Sequence, residues 1–195
     1  MREDELRNYA KLNELAEAGG IVIFGCGEDR NIPTCELRQA FSVESKVYNR
    51  SLSSLSVTEA TEIYKEIAAP LAPETVLLHM GENDKELFAQ SPTLFDSKYR
   101  ELIGIIRLQN KKCRIAVVSL KNYDSDRQIE EINRHLKYIA DSEQCEYGDI
   151  ASKRVWNPKA TMDAVSFAYS MASMHPLRNR RPVYDLVKIL FCYNS

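Results

Sequence analysis

Short β-rich runs alternate with amphipathic helical stretches along nearly the whole chain, and this alternation restricts the possible folds more than any other feature. Ile21 to Phe24, Lys46 to Asn49, Thr75 to Met80 and Cys113 to Leu120 read as strands, with a weaker one from Cys145 to Ile150. Between them lie stretches with helical spacing. Pro33 to Phe41 is one. Val57, Ala60, Ile63, Tyr64 and Ile67 share a face, and a long helix after the third strand turns Phe95, Leu102, Ile103 and Ile106 inward. Ile129, Ile132, Leu136 and Ile139 mark a further helix, and a last one begins at Pro182. Ser56-Val57-Thr58-Glu59 has the form of a capping box, which fixes the start of its helix.

Strands separated by helices pair in parallel and need cover on both faces. The expectation is therefore an α/β fold: a three-layer α/β/α, doubly wound, flavodoxin-like parallel sheet of about five strands. The 195 residues suit a single domain over 1–195, entered through an N-terminal helix over 1–20 that stops at Gly19-Gly20.

Composition removes several function classes. The net charge of -2, with both signs dispersed, leaves no footprint for nucleic acid. Arg178, Arg180 and Arg181 form the densest basic group, expected on a solvated face, with a ligand phosphate or carboxylate as the other reading. No apolar run is long enough for a membrane span, and the first 20 residues lack a signal-peptide core. Cys26, Cys35, Cys113, Cys145 and Cys192 are odd in number and contain no CxxC. Free thiols in a reducing cytoplasm fit better than disulfides or zinc. A homo-oligomer is compatible with the sequence, as is a monomer.

Ligands of doubly wound sheets sit beyond the carboxyl ends of the strands. Here that places "GCGEDRN" (Gly25 to Asn31), Arg50 to Ser56, Met80 to Lys85, Lys121 to Asp126 and the region before the last helix around the expected site. Glu28, Asp29, Glu82 and Asp84 gather at two of these ends. They are expected to be acids favoured by helix dipoles, with Mg²⁺ binding as the rarer alternative. No cofactor or metal is called for.

Three of these segments together resemble the SGNH hydrolase (GDSL-like lipase/esterase) family, in element order and spacing from Ile21 to about Tyr193. The sharpest match is Gly81-Glu82-Asn83-Asp84 directly after the third strand, against the family's Gly-x-Asn-Asp block. "VYNRSLSSLSVTEA" has the shape of its second block, and "SMHPLRNRRPVYDLVKIL" that of its terminal, histidine-bearing block. The resemblance implies a serine nucleophile after strand one, a histidine base oriented by an aspartate, and an oxyanion hole built from backbone amides and the block-three asparagine.

Mapped residue by residue, the serine position falls on Gly27, the block-two glycine on Ser54 and the triad aspartate on Ala172; Asn83 and His175 are retained. Asp163 is a distant substitute orienter. The implied protein is a divergent member with a degenerate catalytic set, binding a small ester or carbohydrate-like molecule or a partner. The alternative is an active ester or acyl hydrolase in which Cys26 or a nearby serine attacks and His175 is the base. Candidate catalytic positions are His175, Asn83 and Cys26; Gly25, Gly27, Ser53, Ser54 and Gly81 are expected to line the pocket. A small buried packing role is the plainer reading of Cys26, and a loop-tying role that of Asn83. His79 and His135 are expected to be packing or surface residues.

Overall fold

A computed structural model describes residues 2–122, 124–151 and 183–191. Five parallel strands form one sheet: β1 (Ile21–Gly25), β2 (Val47–Asn49), β3 (Thr75–His79), β4 (Arg114–Val118) and β5 (Glu146–Gly148). Their order is β2-β1-β3-β4-β5, so the chain reverses direction across the sheet between β1 and β3. That pair is the switch point, beyond whose strand ends ligands of doubly wound sheets generally bind. β1 pairs with β3 from Ile21–Thr75 through to Gly25–His79. The expected strand positions hold: β1 runs one residue longer, to Gly25, and the other four have ends trimmed by a residue or two.

The helices are α1 (Arg2–Leu15), α2 (Thr34–Ala40), α3 (Val57–Ile67), α4 (Lys85–Gln90), α5 (Pro92–Gln109), α6 (Arg127–Ser142) and α7 (Val183–Phe191). Alternation along each buried strand divides the core in two. Val22, Phe24, Val76, Leu78, Ile115 and Val117 face α3, α5 and α6. Ile21, Ile23, Leu77, Ala116 and Val118 face the other way, against Leu37 of α2 and Leu186, Ile189 and Leu190 of α7. Both faces of the sheet are dry, which is why its strands read as continuous apolar runs. No helix among the described residues is long and apolar enough to cross a membrane.

Two boundaries differ from the sequence expectation. The first helix stops at Leu15, and Gly19 and Gly20 (φ +94° and +79°) belong to the turn that follows. A Cβ on Gly20 would come within 2.6 Å of the Lys46 carbonyl, so this glycine serves strand docking more than helix termination. The helix after β3 is broken in two at Ser91, whose side chain accepts from the Leu94 amide while Pro92 opens α5. The capping box is present: Ser56 caps α3, and the Glu59 side chain accepts from the Ser56 amide at 3.2 Å.

Candidate functional site

At the end of β1 the chain runs straight from strand into turn. Cys26 continues the ladder by bridging to Leu52, and the Gly27 amide donates to the Leu52 carbonyl at 2.9 Å. Gly27 sits at φ +64°, a left-handed conformation that glycine adopts without strain. The closest atom to a Cβ built on it is Glu82 Oε2 at 3.8 Å, so the position is spacious but conformationally demanding. Opposite, Gly81 (φ +125°) leads into the short turn Glu82–Asp84, which places Asn83 beside Cys26. Asn83 Nδ2 donates to the Leu55 carbonyl at 3.4 Å.

Gly25 to Gly27, Ser53, Ser54, Gly81 and Asn83 all lie at one end of the sheet. Their orientations differ. Cys26 is 5% exposed and packs in the α3/α5 core. Burial, with Asp29, Glu82 and Asp84 nearby, pushes its thiol up to about 12, while the Asn83 amide pulls weakly the other way. A thiol held so far above neutrality is almost wholly protonated at pH 7. Gly25 faces the opposite side of the sheet. A Cβ there would fall 2.3 Å from Asp29 Oδ2, so a carboxylate lies where a side chain would otherwise be. Ser54 is exposed. His175, Ala172, Asp163 and the arginine group at 178–181 lie outside the described residues.

Two of the four acids at the strand ends, Asp84 and Asp29, are engaged by protein groups. Asp84 accepts from Ser56 Oγ at 2.5 Å and from the Val57 amide at 3.2 Å, tying the turn after β3 to the start of α3. Burial raises its carboxyl above the ordinary range, against those hydrogen bonds. Asp29 binds His79, whose Nδ1 lies 2.6 Å from Asp29 Oδ2. No group of three or more His, Cys, Asp or Glu residues among the described residues is placed to hold a metal ion.

The His79–Asp29 pair is a feature the sequence reading missed, since it treated His79 as packing and Asp29 as one acid among four. The signal was available. His79 ends β3 in line with Leu77, so its side chain must share that face with the turn after β1. Both side chains are buried, the ring meets Phe191 edge-on at 4.9 Å, and Nε2 has no hydrogen-bond partner among the described residues.

The N-terminal helix was expected, but not its docking: α1 lies across the loops after β1 and β2. Glu5 Oε2 accepts from the Ser53 amide at 3.3 Å and from Ser53 Oγ at 2.9 Å, and Glu5 Oε1 accepts from Arg30 at 2.5 Å. Burial works to raise the Glu5 carboxyl, but the bonds from Arg30 and Ser53 outweigh it and leave it below the usual glutamate value. Nothing in the helical pattern of the first 15 residues distinguishes Glu5 from its neighbours Glu3 and Asp4.

No known protein-family description matches the sequence, and no curated protein does. Solved structures do match. A candidate platelet activating factor from Streptococcus pneumonia superposes with a TM-score of 0.63 at 16% identity, covering 88% of this chain and 92% of that one. A GDSL-like lipase from Bacteroides thetaiotaomicron gives 0.59 at 13% identity, covering 87% and 96%. A variant of an acetyl-xylooligosaccharide esterase from Geobacillus gives 0.55 at 14% identity, covering 90% and 95%. Together with the β2-β1-β3-β4-β5 parallel sheet and the switch point at Gly25–Gly27, these likenesses establish that the chain has the fold of the SGNH, or GDSL-like, hydrolases.

Proposed function

We propose that this chain is an SGNH-fold binding protein whose serine-esterase set has degenerated, and that it holds a small ester or carbohydrate-like molecule at the switch point. The observation that carries the reading is the turn after β1. Gly27 stands at the family's nucleophile position and has no side chain, and its amide is spent on the Leu52 carbonyl at 2.9 Å. The same residue would thus have to supply both attack and part of the oxyanion stabilisation, and its groups are committed elsewhere. Asn83 Nδ2, the remaining oxyanion candidate, points to the Leu55 carbonyl.

Neighbouring groups do not make up the loss. The Cys26 thiol is buried and pushed up to about 12, the opposite of an activated nucleophile. Ser53 Oγ donates to Glu5, a carboxylate on a helix that would cover a substrate carbonyl there. The ligand class follows from the folds it resembles, among them an acetyl-xylooligosaccharide esterase and a GDSL-like lipase. We place the protein in a reducing cytoplasm, where its half-buried Cys113 and Cys145 would stay free.

The test is hydrolysis of a short-chain aryl ester by the wild type, Cys26→Ala and His175→Ala. No turnover above buffer in any of the three supports the binding role. Wild-type turnover abolished by both substitutions overturns it in favour of a rearranged cysteine hydrolase.

A further inference from the structure

The donors around Glu5 are arranged as a receptor for its functional group. One carboxylate oxygen takes two hydrogen bonds from a single residue, the Ser53 amide and hydroxyl; the other takes the Arg30 guanidinium. The donors come from the loops after β2 and β1, the two strands that flank the outer side of the switch point, whereas the acceptor comes from outside the sheet, on α1. A planar two-oxygen anion takes all three of these hydrogen bonds at once, one oxygen on Ser53 and the other on Arg30.

The helix that carries the acceptor is fastened unevenly. Its second half is anchored: Tyr9 Oη donates to the Ser51 carbonyl at 2.6 Å, and Asn13 Oδ1 accepts from buried Arg50 at 2.7 Å. Arg50 also lies over the Tyr9 ring at 5.1 Å. The first turns have less. None of α1 is fully buried; at its N-terminal end Leu6 packs, partly buried, against the core, and Arg2 pairs with Glu59 through side chains that are each 38% exposed. Exposed pairs of this kind hold weakly, and peripheral segments with little apolar burial open at low cost.

We propose that Ser53 and Arg30 form a carboxylate-recognition subsite at the switch point and that Glu5 is its tethered occupant, so that a ligand bearing a carboxylate binds by displacing Glu5 and the first turns of α1. This rests on the reading that the strand ends form a ligand crevice, and it narrows the ligand to one with an acidic group. Displacement moves no proton and breaks no covalent bond; one carboxylate replaces another on the same three donors. Tethering gives Glu5 a high effective concentration, so external carboxylates bind the wild type weakly and gain affinity once Glu5 is removed.

The experiment follows the Ser53 amide by ¹⁵N–¹H NMR in full-length wild type, Glu5→Ala and Glu5→Gln, titrated with sodium acetate at fixed ionic strength, with sodium chloride and inorganic phosphate as separate arms. Saturable acetate binding in Glu5→Ala at least tenfold tighter than in wild type, and lost again in Glu5→Ala with Arg30→Ala, is the expected result. Glu5→Gln preserves shape and an acceptor for Ser53, so it serves as host if the alanine variant does not fold, and there too acetate must bind more tightly than to the wild type. No saturation in either variant, equal affinity in wild type, or phosphate binding as tightly as acetate overturns the proposal. Aryl-ester turnover by the same samples would sink the binding-protein reading while leaving the acetate result to stand or fall separately.

Discussion

His79 Nδ1 lies 2.6 Å from Asp29 Oδ2 directly over the backbone of Gly25, so the ends of β1 and β3 are cross-linked by a buried polar pair. A carboxylate accepts, so the ring donates from Nδ1, and Nε2 is buried with no partner among the described residues. The pair fixes the turn Gly27–Asn31 against the sheet, because the Asp29 carbonyl also accepts from Asn49 Nδ2 at 2.7 Å. Asp29→Ala therefore strands a buried imidazole donor and releases the turn, and should cost about 1–3 kcal/mol. Urea unfolding checks this, with Asp29→Asn expected to recover part of the loss. Equal stability of Asp29→Ala and wild type would show the pair to be energetically idle.

Gly25→Ala should fail at the same place for a different reason. Its Cβ would sit 2.3 Å from Asp29 Oδ2 and 2.7 Å from the His79 carbonyl, and both contacts must be relieved. Overpacking on that scale costs about 1–3 kcal/mol. Gly27→Ala has open space but a left-handed φ, and should lose about 1–2 kcal/mol through backbone strain alone. Thermal melts of the two variants give the comparison, and the Gly25 loss should shrink in an Asp29→Gly background, leaving the part due to the His79 carbonyl, while the Gly27 loss persists in full.

Cysteine reactivity should follow exposure, with Cys35 leading. At pH 8 a thiol with a value of about 12 is ionised in only about one molecule in ten thousand, so native Cys26 is alkylated far more slowly than exposed Cys35. Iodoacetamide labelling read by peptide mass should show Cys26 protected at least a hundredfold relative to the chain in urea. Parity between Cys26 and Cys35 in the native protein would restore Cys26 as a nucleophile.

Alkaline stability carries the same signature. Burial raises Cys26 and Cys113 to about 12 and Cys145 to about 11, from an ordinary thiol value of 9.0. The unfolded chain then releases these protons first, and stability is full below 9.0 and falls as the pH rises toward the folded values. Cys26→Ala with Cys113→Ala should flatten that decline, as measured by denaturant midpoints between pH 8 and 11. A decline unchanged by both substitutions would place its origin in other groups.

Ser56 joins a helix cap to the site. Its hydroxyl accepts from the Thr58 amide and donates to buried Asp84. Ser56→Ala should cost about 1–2 kcal/mol, more than an ordinary cap, because Asp84 also loses a donor. Hydrogen exchange should then rise both in the first turn of α3 and in the turn at Glu82–Asp84.

How much of this could be read from the chain depends on the range of the interactions. The strands were legible because both sheet faces are dry, so Ile21–Phe24 and Cys113–Leu120 announce themselves by composition alone. The capping box at Ser56 was legible because all its atoms lie within four residues. The gathering of Gly25–Gly27, Ser53 and Asn83 followed from strand order and from the resemblance of the Gly81–Asp84 block. What escaped was lateral. His79 meets Asp29 across 50 residues, and Glu5 meets Ser53 across 48. Strand alternation records which face His79 occupies, but where a peripheral helix such as α1 comes to rest is in no local pattern.

The outermost strands, β2 and β5, are only three residues long, and charge sits beside both: Lys46 pairs with Glu17 next to β2, and Arg114 pairs with Glu146 on β5 at 2.9 Å. A second sheet seeking unpaired amides would find a template too brief to register on and guarded by ions that resist dehydration. The margins of the sheet therefore offer a fibre little to build on, however apolar the interior they enclose.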